Sequence, residues 1–313
     1  MGTAPADQPG ADASRRSALL LLHITVFIWG WTGILGKWID QSAEHIVLVR
    51  TIIACVGLVA VARWMKVTLS PRTPDLGRYL LTGLIILAHW TTFYLAIKRG
   101  SASVAVTCLS TSTFFTALIT PFWTKQRVSL FELMLGLVIM GALLLIFGLE
   151  TEYREGIVLG TLSALFSAWF NVVNSRLVKR GEAVRICFYE LLTVIAGMGL
   201  WLAWRGDLPP PLWNMPASDV AGYLVLGLVC TTFAFTAGIH VLKRLTPFTV
   251  ILTVNLEPVY TILIALVLWP ESERMRMGSY IGFALILACI SLNGWHQRRL
   301  EQRAIRPQAI VRG

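Results

Sequence analysis

Residues 246–269 read TPFTVILTVNLEPVYTILIALVLW, a run whose single charged side chain is Glu257, near its middle and directly before Pro258. About 20 apolar residues cross the ~30 Å hydrocarbon core of a bilayer as a helix, and this run is long enough. Its carboxyl group then lies near the membrane midplane. Pro258 removes a backbone donor and frees the carbonyl four residues back, that of Val254. In lipid such a break is tolerated where it lines a cavity. The stretch therefore predicts a membrane-spanning helix interrupted beside a carboxylate.

The rest of the chain repeats the pattern. Apolar runs lie near 17–37, 44–64, 77–97, 101–123, 130–149, 156–176, 184–204, 219–240, 246–269 and 277–296. They are separated by polar punctuation such as the segment from Ser70 to Asp75, Pro209-Pro210-Pro211 and the segment from Pro270 to Arg276. The expected fold is an all-α integral membrane protein of ten transmembrane helices. The runs are too long and too uniformly apolar for barrel strands. Of the 313 residues 56% are hydrophobic and 14% charged, and mean hydropathy is +0.67. A soluble globular enzyme, a disordered chain and a disulfide-stapled miniprotein are excluded on that composition. Cys55, Cys108, Cys187, Cys230 and Cys289 each lie in an apolar run without CxxC spacing, which reads as buried, inert thiols rather than a metal or disulfide framework.

The net charge of +10 is an orientation signal, not a nucleic-acid one. An even number of spans puts both termini on one side. Of the 27 Lys and Arg residues, 19 then fall on that side, seven on the other and one, Arg50, inside a span. By the excess of cations on cytoplasmic loops, both termini are expected in the cytoplasm and the chain in the cell (inner) membrane. Residues 1–16 read as a disordered cytoplasmic tail and 297–313 as a basic one. Trp38, Trp64, Trp123, Trp204, Trp269 and Trp295 fall at span ends, where tryptophan anchors helices at the interface.

The two halves, 17–149 and 156–296, hold five runs each. Lys98-Arg99 recurs as Lys243-Arg244 and Thr116 as Thr261, all offset by 145. An odd number of spans per repeat makes the second copy enter the membrane from the opposite side. That is the inverted-repeat plan of secondary transporters, with the substrate site near the midplane between halves.

With these features in place the sequence resembles the EamA-type branch of the drug/metabolite transporter superfamily, over about residues 17–296. The resemblance rests on an ordered set. It comprises Phe27-Ile28-Trp29-Gly30-Trp31, Val49-Arg50, the fourth span with Gly136 and Gly141 in its successor, Leu256-Glu257-Pro258-Val259-Tyr260, Glu271-Ser272-Glu273-Arg274-Met275 and Gly282. The first half departs from it where Thr113 stands opposite Pro258. The resemblance implies movement of small metabolites, amino acids, nucleoside-like compounds or drugs.

A charge in the bilayer core costs at least about 2.5–3.5 kcal/mol, so interior charges are few and face the bundle. Glu257 reads as a site for a substrate amine or a proton, or as a carboxyl locking helices. Arg50 and Glu190 sit at mirrored depths, roughly 10 Å apart along the membrane normal, which does not imply a direct bridge between them. Arg50 is expected to meet Glu257, a substrate anion or backbone carbonyls. Structural and substrate roles stay open for both. The expected cavity wall is Trp29, Trp31, His89, Trp90, Ser110, Asn171, Asn255 and Glu257, with Arg50 as a further substrate contact and Glu257 and Glu190 as proton-coupling candidates. There is no nucleotide-binding glycine loop, HExxH or GxSxG, so neither enzyme, cofactor nor metal is expected.

The expectation is a secondary active transporter, exporting amino acid-, nucleoside- or drug-like amphipathic solutes by alternating access. Its partners are the solute, the lipid bilayer and, as a candidate co-substrate, the proton. A passive channel or facilitator and an accessory membrane subunit are the alternatives. A channel calls for a continuous polar stripe, whereas the polar residues here cluster near mid-span.

Overall fold

The computed structural model describes residues 9–70, 73–124, 130–149, 151–254 and 256–274, and a subset of positions from 276 to 299. The described residues are helical with short connections, and none of them forms a strand. The elements are α1 (Pro9–Trp38), α2 (Ala43–Trp64), α3 (Thr73–Arg99), α4 (Ala102–Leu109), α5 (Ser112–Thr124), α6 (Leu130–Leu149), α7 (Arg154–Leu177) and α8 (Ala183–Arg205). They continue with α9 (Ala217–Leu224), a π-helical stretch (Val225–Phe233), α10 (Ala234–Val241), α11 (Pro247–Val254), α12 (Glu257–Leu268) and α13 (Pro270–Glu273). Among the described residues seven spans are long and apolar enough to cross a bilayer, the fourth formed by α4 with α5 and the seventh by α9, the π stretch and α10. The apolar helix α6 and the pair α11–α12 follow the expected fifth and ninth runs. The tenth expected run, 277–296, is described in part, its described positions are helical, and it holds a shorter apolar helix at Tyr280–Cys289.

Local sequence sets the ends. Ser42 Oγ accepts the His45 N–H at 3.1 Å and Ser101 Oγ accepts the Val104 N–H at 3.1 Å, each capping the helix that follows. Gly206 ends α8 with φ +66°, a left-handed conformation natural to glycine. The N-terminus corrects one expectation. Residues 9–16, expected within the disordered tail, belong to α1. Residues 1–8, and all of 297–313 but Arg299, lie outside the described residues.

The packing is that of a protein solvated by lipid. Val56, Leu200 and Val267 point outward, while Arg50, Glu190 and Glu257 are buried. Where helices cross closely, small residues permit it. A Cβ on Gly30 of α1 would lie 2.7 Å from Tyr260 Cβ of α12, and Thr261 Oγ1 donates to the Gly30 carbonyl at 2.7 Å in that crossing. Helix α3 packs along α7 and α8, and α2 along α8 and the π stretch. All five cysteines are buried and unpaired, as expected.

The repeat shows in the backbone. Helix α4 runs from Ala102 to Leu109 and α5 begins at Ser112; helix α11 runs from Pro247 to Val254 and α12 begins at Glu257. Each of these three boundaries recurs at an offset of 145, the offset that pairs Lys98-Arg99 with Lys243-Arg244. Both halves thus carry a broken helix at the same position. The second break is the one that Pro258 predicts. Pro258 lies in the first turn of α12, where its missing N–H has no partner to lose.

Candidate functional site

The breaks border a cavity of about 60 Å³ between α1, α2, α3, α7, α10 and the ends of α4, α11 and α12. Six of the residues expected at the site line it: Trp29, Arg50, His89, Trp90, Asn171 and Glu257.

Arg50 is the most constrained of them. It is buried in α2, donates from Nη1 to the Tyr94 hydroxyl, and donates from Nε and Nη2 to Thr231 Oγ1 at 3.2 and 2.7 Å. Its guanidinium carbon lies 4.2 Å from the centre of the Trp90 ring. Its partners among the described residues are therefore hydroxyls and an aromatic face; of the three expected for it, Glu257 and backbone carbonyls are not met, and a substrate anion stays open. A guanidinium stacks on rings and is more weakly hydrated than an ammonium, which lowers the cost of burying it this way. Its planar fork has five N–H donors, and these three bonds leave donors over.

The π stretch makes this arrangement possible. Thr231 Oγ1 donates to the Leu226 carbonyl at 2.7 Å and Thr232 Oγ1 to that of Gly227 at 3.0 Å, both five residues back, in the wider turn. The same stretch presents the Cys230 carbonyl to Trp29 Nε1, at 3.2 Å. No sequence signal marked Thr231 for this role, because its position depends on the register of the widened turn.

Glu257 opens α12, where the positive helix end favours a carboxylate. It is buried, and among the described residues its carboxylate makes no ion pair and no hydrogen bond. Arg50 and Glu257 thus face one cavity without bridging each other. His89 Nδ1 is 2.9 Å from the Ser163 carbonyl and 2.8 Å from Ser163 Oγ, which ties α3 to α7. Asn171 Nδ2 donates to the Ser167 carbonyl at 2.9 Å. Phe93, Phe170 and Phe235 complete an aromatic wall. Phe93 was legible four residues beyond His89, on the same helical face; Phe235 carried no such signal.

Other expected residues lie elsewhere. Trp31 is 39% exposed and does not line the cavity: two residues beyond Trp29 is about 200° around the helix, the opposite face. Ser110 is buried in the break between α4 and α5, off the cavity, and its hydroxyl has no partner among the described residues. Asn255 lies outside the described residues. Glu190 is fully buried in α8, away from the cavity, against Asn174 of α7, with neither side chain in hydrogen-bond geometry. Among the described residues Arg50 and Glu190 make no ion pair with each other. Among the described residues no cluster of His, Cys, Asp or Glu could hold a metal ion.

Comparison with known families carries the architecture further. The model of the EamA-like transporter family matches this chain twice, over residues 16–148 and 154–295. The chain belongs to the EamA-like transporter family. The two matches fall on the two halves that share the broken helix, so the chain has the two-repeat architecture of EamA proteins. It is accordingly a multi-pass membrane protein of a transporter family in the drug/metabolite superfamily. A crystal structure of another protein superimposes on it with a TM-score of 0.67 at 16% identity, covering 88% of this chain and 96% of that one, which shows a shared fold. No curated protein matches the sequence.

Proposed function

We propose that this EamA protein is a secondary active transporter that exports small amphipathic solutes by alternating access, with ten helices in two inverted five-helix repeats. In this reading both termini lie in the cytoplasm and the protein sits in the cell (inner) membrane, as the distribution of Lys and Arg indicates. The observation that carries the proposal is the unbridged pair of Arg50 and Glu257 in one aromatic-walled cavity beside a helix break. A buried guanidinium with spare donors suits an anionic group, and a buried carboxylate suits an amine or a proton. The ring faces of Trp29, Trp90 and Phe170 suit an apolar body. Of the amino acid-, nucleoside- and drug-like classes, a zwitterion satisfies both charges at once. Sugar phosphates fit less well, since among the described residues Arg50 is the one Lys or Arg of this wall.

The size of the cavity supports alternating access over a permanently open channel. A volume of about 60 Å³ admits a few waters and is smaller than a drug-sized ligand pocket. Loading a solute then requires the helices to part.

The test is solute flux in proteoliposomes, with radiolabelled amino acids, nucleosides and a cationic dye offered under an imposed pH gradient. Saturable flux of at least one class is expected. Glu257→Gln is expected to abolish its dependence on the gradient while leaving gradient-free exchange measurable. Full gradient-driven flux in Glu257→Gln removes the proton role, and no flux across the whole panel overturns the transporter reading for these classes.

A further inference from the structure

A second, smaller site lies away from the central cavity. At the end of the bundle that carries most of the cations, a pocket of about 160 Å³ opens between α3, α5 and α7. Arg78, Arg176 and Arg180 line it together with Leu81, Trp123 and Leu177. We propose that this pocket binds the headgroup of an anionic phospholipid, with an acyl chain lying along the apolar face of α3.

The charges are built into place. Asp75 is buried; its Oδ1 is 2.7 Å from Arg78 Nη1 and 3.8 Å from Arg180 Nη1. One fixed carboxylate thus lies against two guanidinium groups beside a third, Arg176, so among the described residues around the pocket the positive charges outnumber the negative. Planar guanidinium forks match phosphate oxygens two at a time, which lysines do not. Arg176 lies in the last turn of α7 and Arg180 in the turn that follows it, and both line the opening.

The apolar part points to a lipid in particular. Leu81 and Leu84 are both exposed on α3, three residues apart, and form a track running from the arginines toward the bilayer centre. Trp123 ends the fourth span, at the depth where tryptophan meets headgroups. A free phosphate would use the arginines and leave this track unused. The site also faces the side expected to be cytoplasmic, the leaflet in which anionic lipids attract basic clusters. A wider basic cavity containing Lys179, Arg185, Lys243 and Arg244 shares Arg180 with it and adds to the field.

The experiment is native mass spectrometry of the full chain in a neutral detergent, titrated with phosphatidylglycerol, phosphatidylcholine or inorganic phosphate. Phosphatidylglycerol is expected to bind about tenfold more tightly than phosphatidylcholine, and the double variant Arg78→Gln/Arg176→Gln to lose about tenfold of that affinity. Arg16→Gln/Arg63→Gln, with the same change of charge on the same side and away from both cavities, is expected to keep it. Equal losses in the two double variants overturn the site in favour of a diffuse field. Displacement of the lipid by equimolar inorganic phosphate overturns the lipid and leaves a free-anion site. If the first double variant does not fold, phosphatidylglycerol with brominated acyl chains serves on the unaltered protein. It is expected to quench a fluorescence component that Trp123→Phe removes, and quenching unchanged by Trp123→Phe overturns the proposal. Neither readout requires transport, so this result is independent of the function proposed above.

Discussion

Lys37 Nζ lies 2.6 Å from Glu273 Oε1, and the Glu273 side chain is wholly enclosed. The same carboxylate accepts the backbone N–H of Ala102 at 3.3 Å and of Ser103 at 2.9 Å, at the start of α4. Lys37 also donates to Ser272 Oγ at 2.6 Å and sits 5.0 Å from the centre of the Trp269 ring. One carboxylate therefore ties the end of α1, the start of α4 and the segment after α12 at one end of the bundle. At the other surface the pair Lys243–Glu182, 3.0 Å apart, joins the end of α10 to the start of α8 and is much more open to solvent.

Glu273→Gln keeps the shape and removes the charge. Losing one partner of a fully buried pair costs about 3–5 kcal/mol, and because Lys37 stays partly exposed about 2 kcal/mol is expected here. The melting temperature of the purified protein should fall, and a Ser103→Cys reporter should react faster with an impermeant thiol reagent. A variant with unchanged melting and unchanged labelling would show that this contact does not close the surface.

The Lys243–Glu182 pair should behave differently. Exposed pairs contribute about 0.2–1 kcal/mol, so Lys243→Ala should lower stability only slightly. The hydrogen bond from Lys243 is the main reason that the Glu182 carboxyl titrates below its ordinary range. The contribution of the pair is thus fully present above the ordinary carboxylate pKa and is lost as pH falls through the lowered one. In wild type, but not in Lys243→Ala, melting measured from neutral to acid pH should show this small loss. Equal acid profiles in the two proteins would sink the assignment.

Thr231→Val removes the hydroxyl that receives two donors of Arg50 while nearly keeping volume. A buried donor left without an acceptor costs about 1–3 kcal/mol. Reduced stability and weakened solute affinity are expected together. Thr232→Val, which removes a hydroxyl bonded among the described residues to the Ala54 and Gly227 carbonyls and not to Arg50, should leave affinity near wild type. Affinity loss of the same size in both would mean that the π stretch matters only as a whole.

A Cβ added at Gly238 would lie 2.6 Å from Trp29 Cη2. Overpacking of this kind costs about 1–3 kcal/mol, so Gly238→Ala should push the indole into the cavity and slow transport. Trp29→Phe in the same chain should restore part of the rate by removing the colliding ring. If the double variant is slower than Gly238→Ala alone, the indole is not what the alanine displaces.

Much of this site was legible in one dimension. Glu257 before Pro258 in an apolar run signalled both a buried carboxylate and a helix break, because lipid admits neither without a cavity. Trp29, Arg50, His89, Trp90 and Asn171 were legible as polar or amphipathic groups at mid-span, where any such group must face inward. Trp31 was not, because membership of a span does not say which way a residue points; the partners of α1 decide that. Thr231 and Phe235 could not be read, since their place depends on a widened turn and on contacts between helices distant in sequence.

The sequence by itself determined that the chain is a membrane-spanning helical protein, that it is built twice and which of its charges are interior. These follow from solvation: hydrocarbon selects apolar helices and makes every interior charge costly, and both effects act on residue type and spacing alone. Only the tertiary structure decided that Arg50 rests on Trp90, Tyr94 and Thr231 rather than on a carboxylate, that Glu257 stays unbridged in the same cavity, and that Glu190 lies apart from it. Those outcomes depend on distances of a few ångströms between helices up to about 200 residues apart, set by how their surfaces pack.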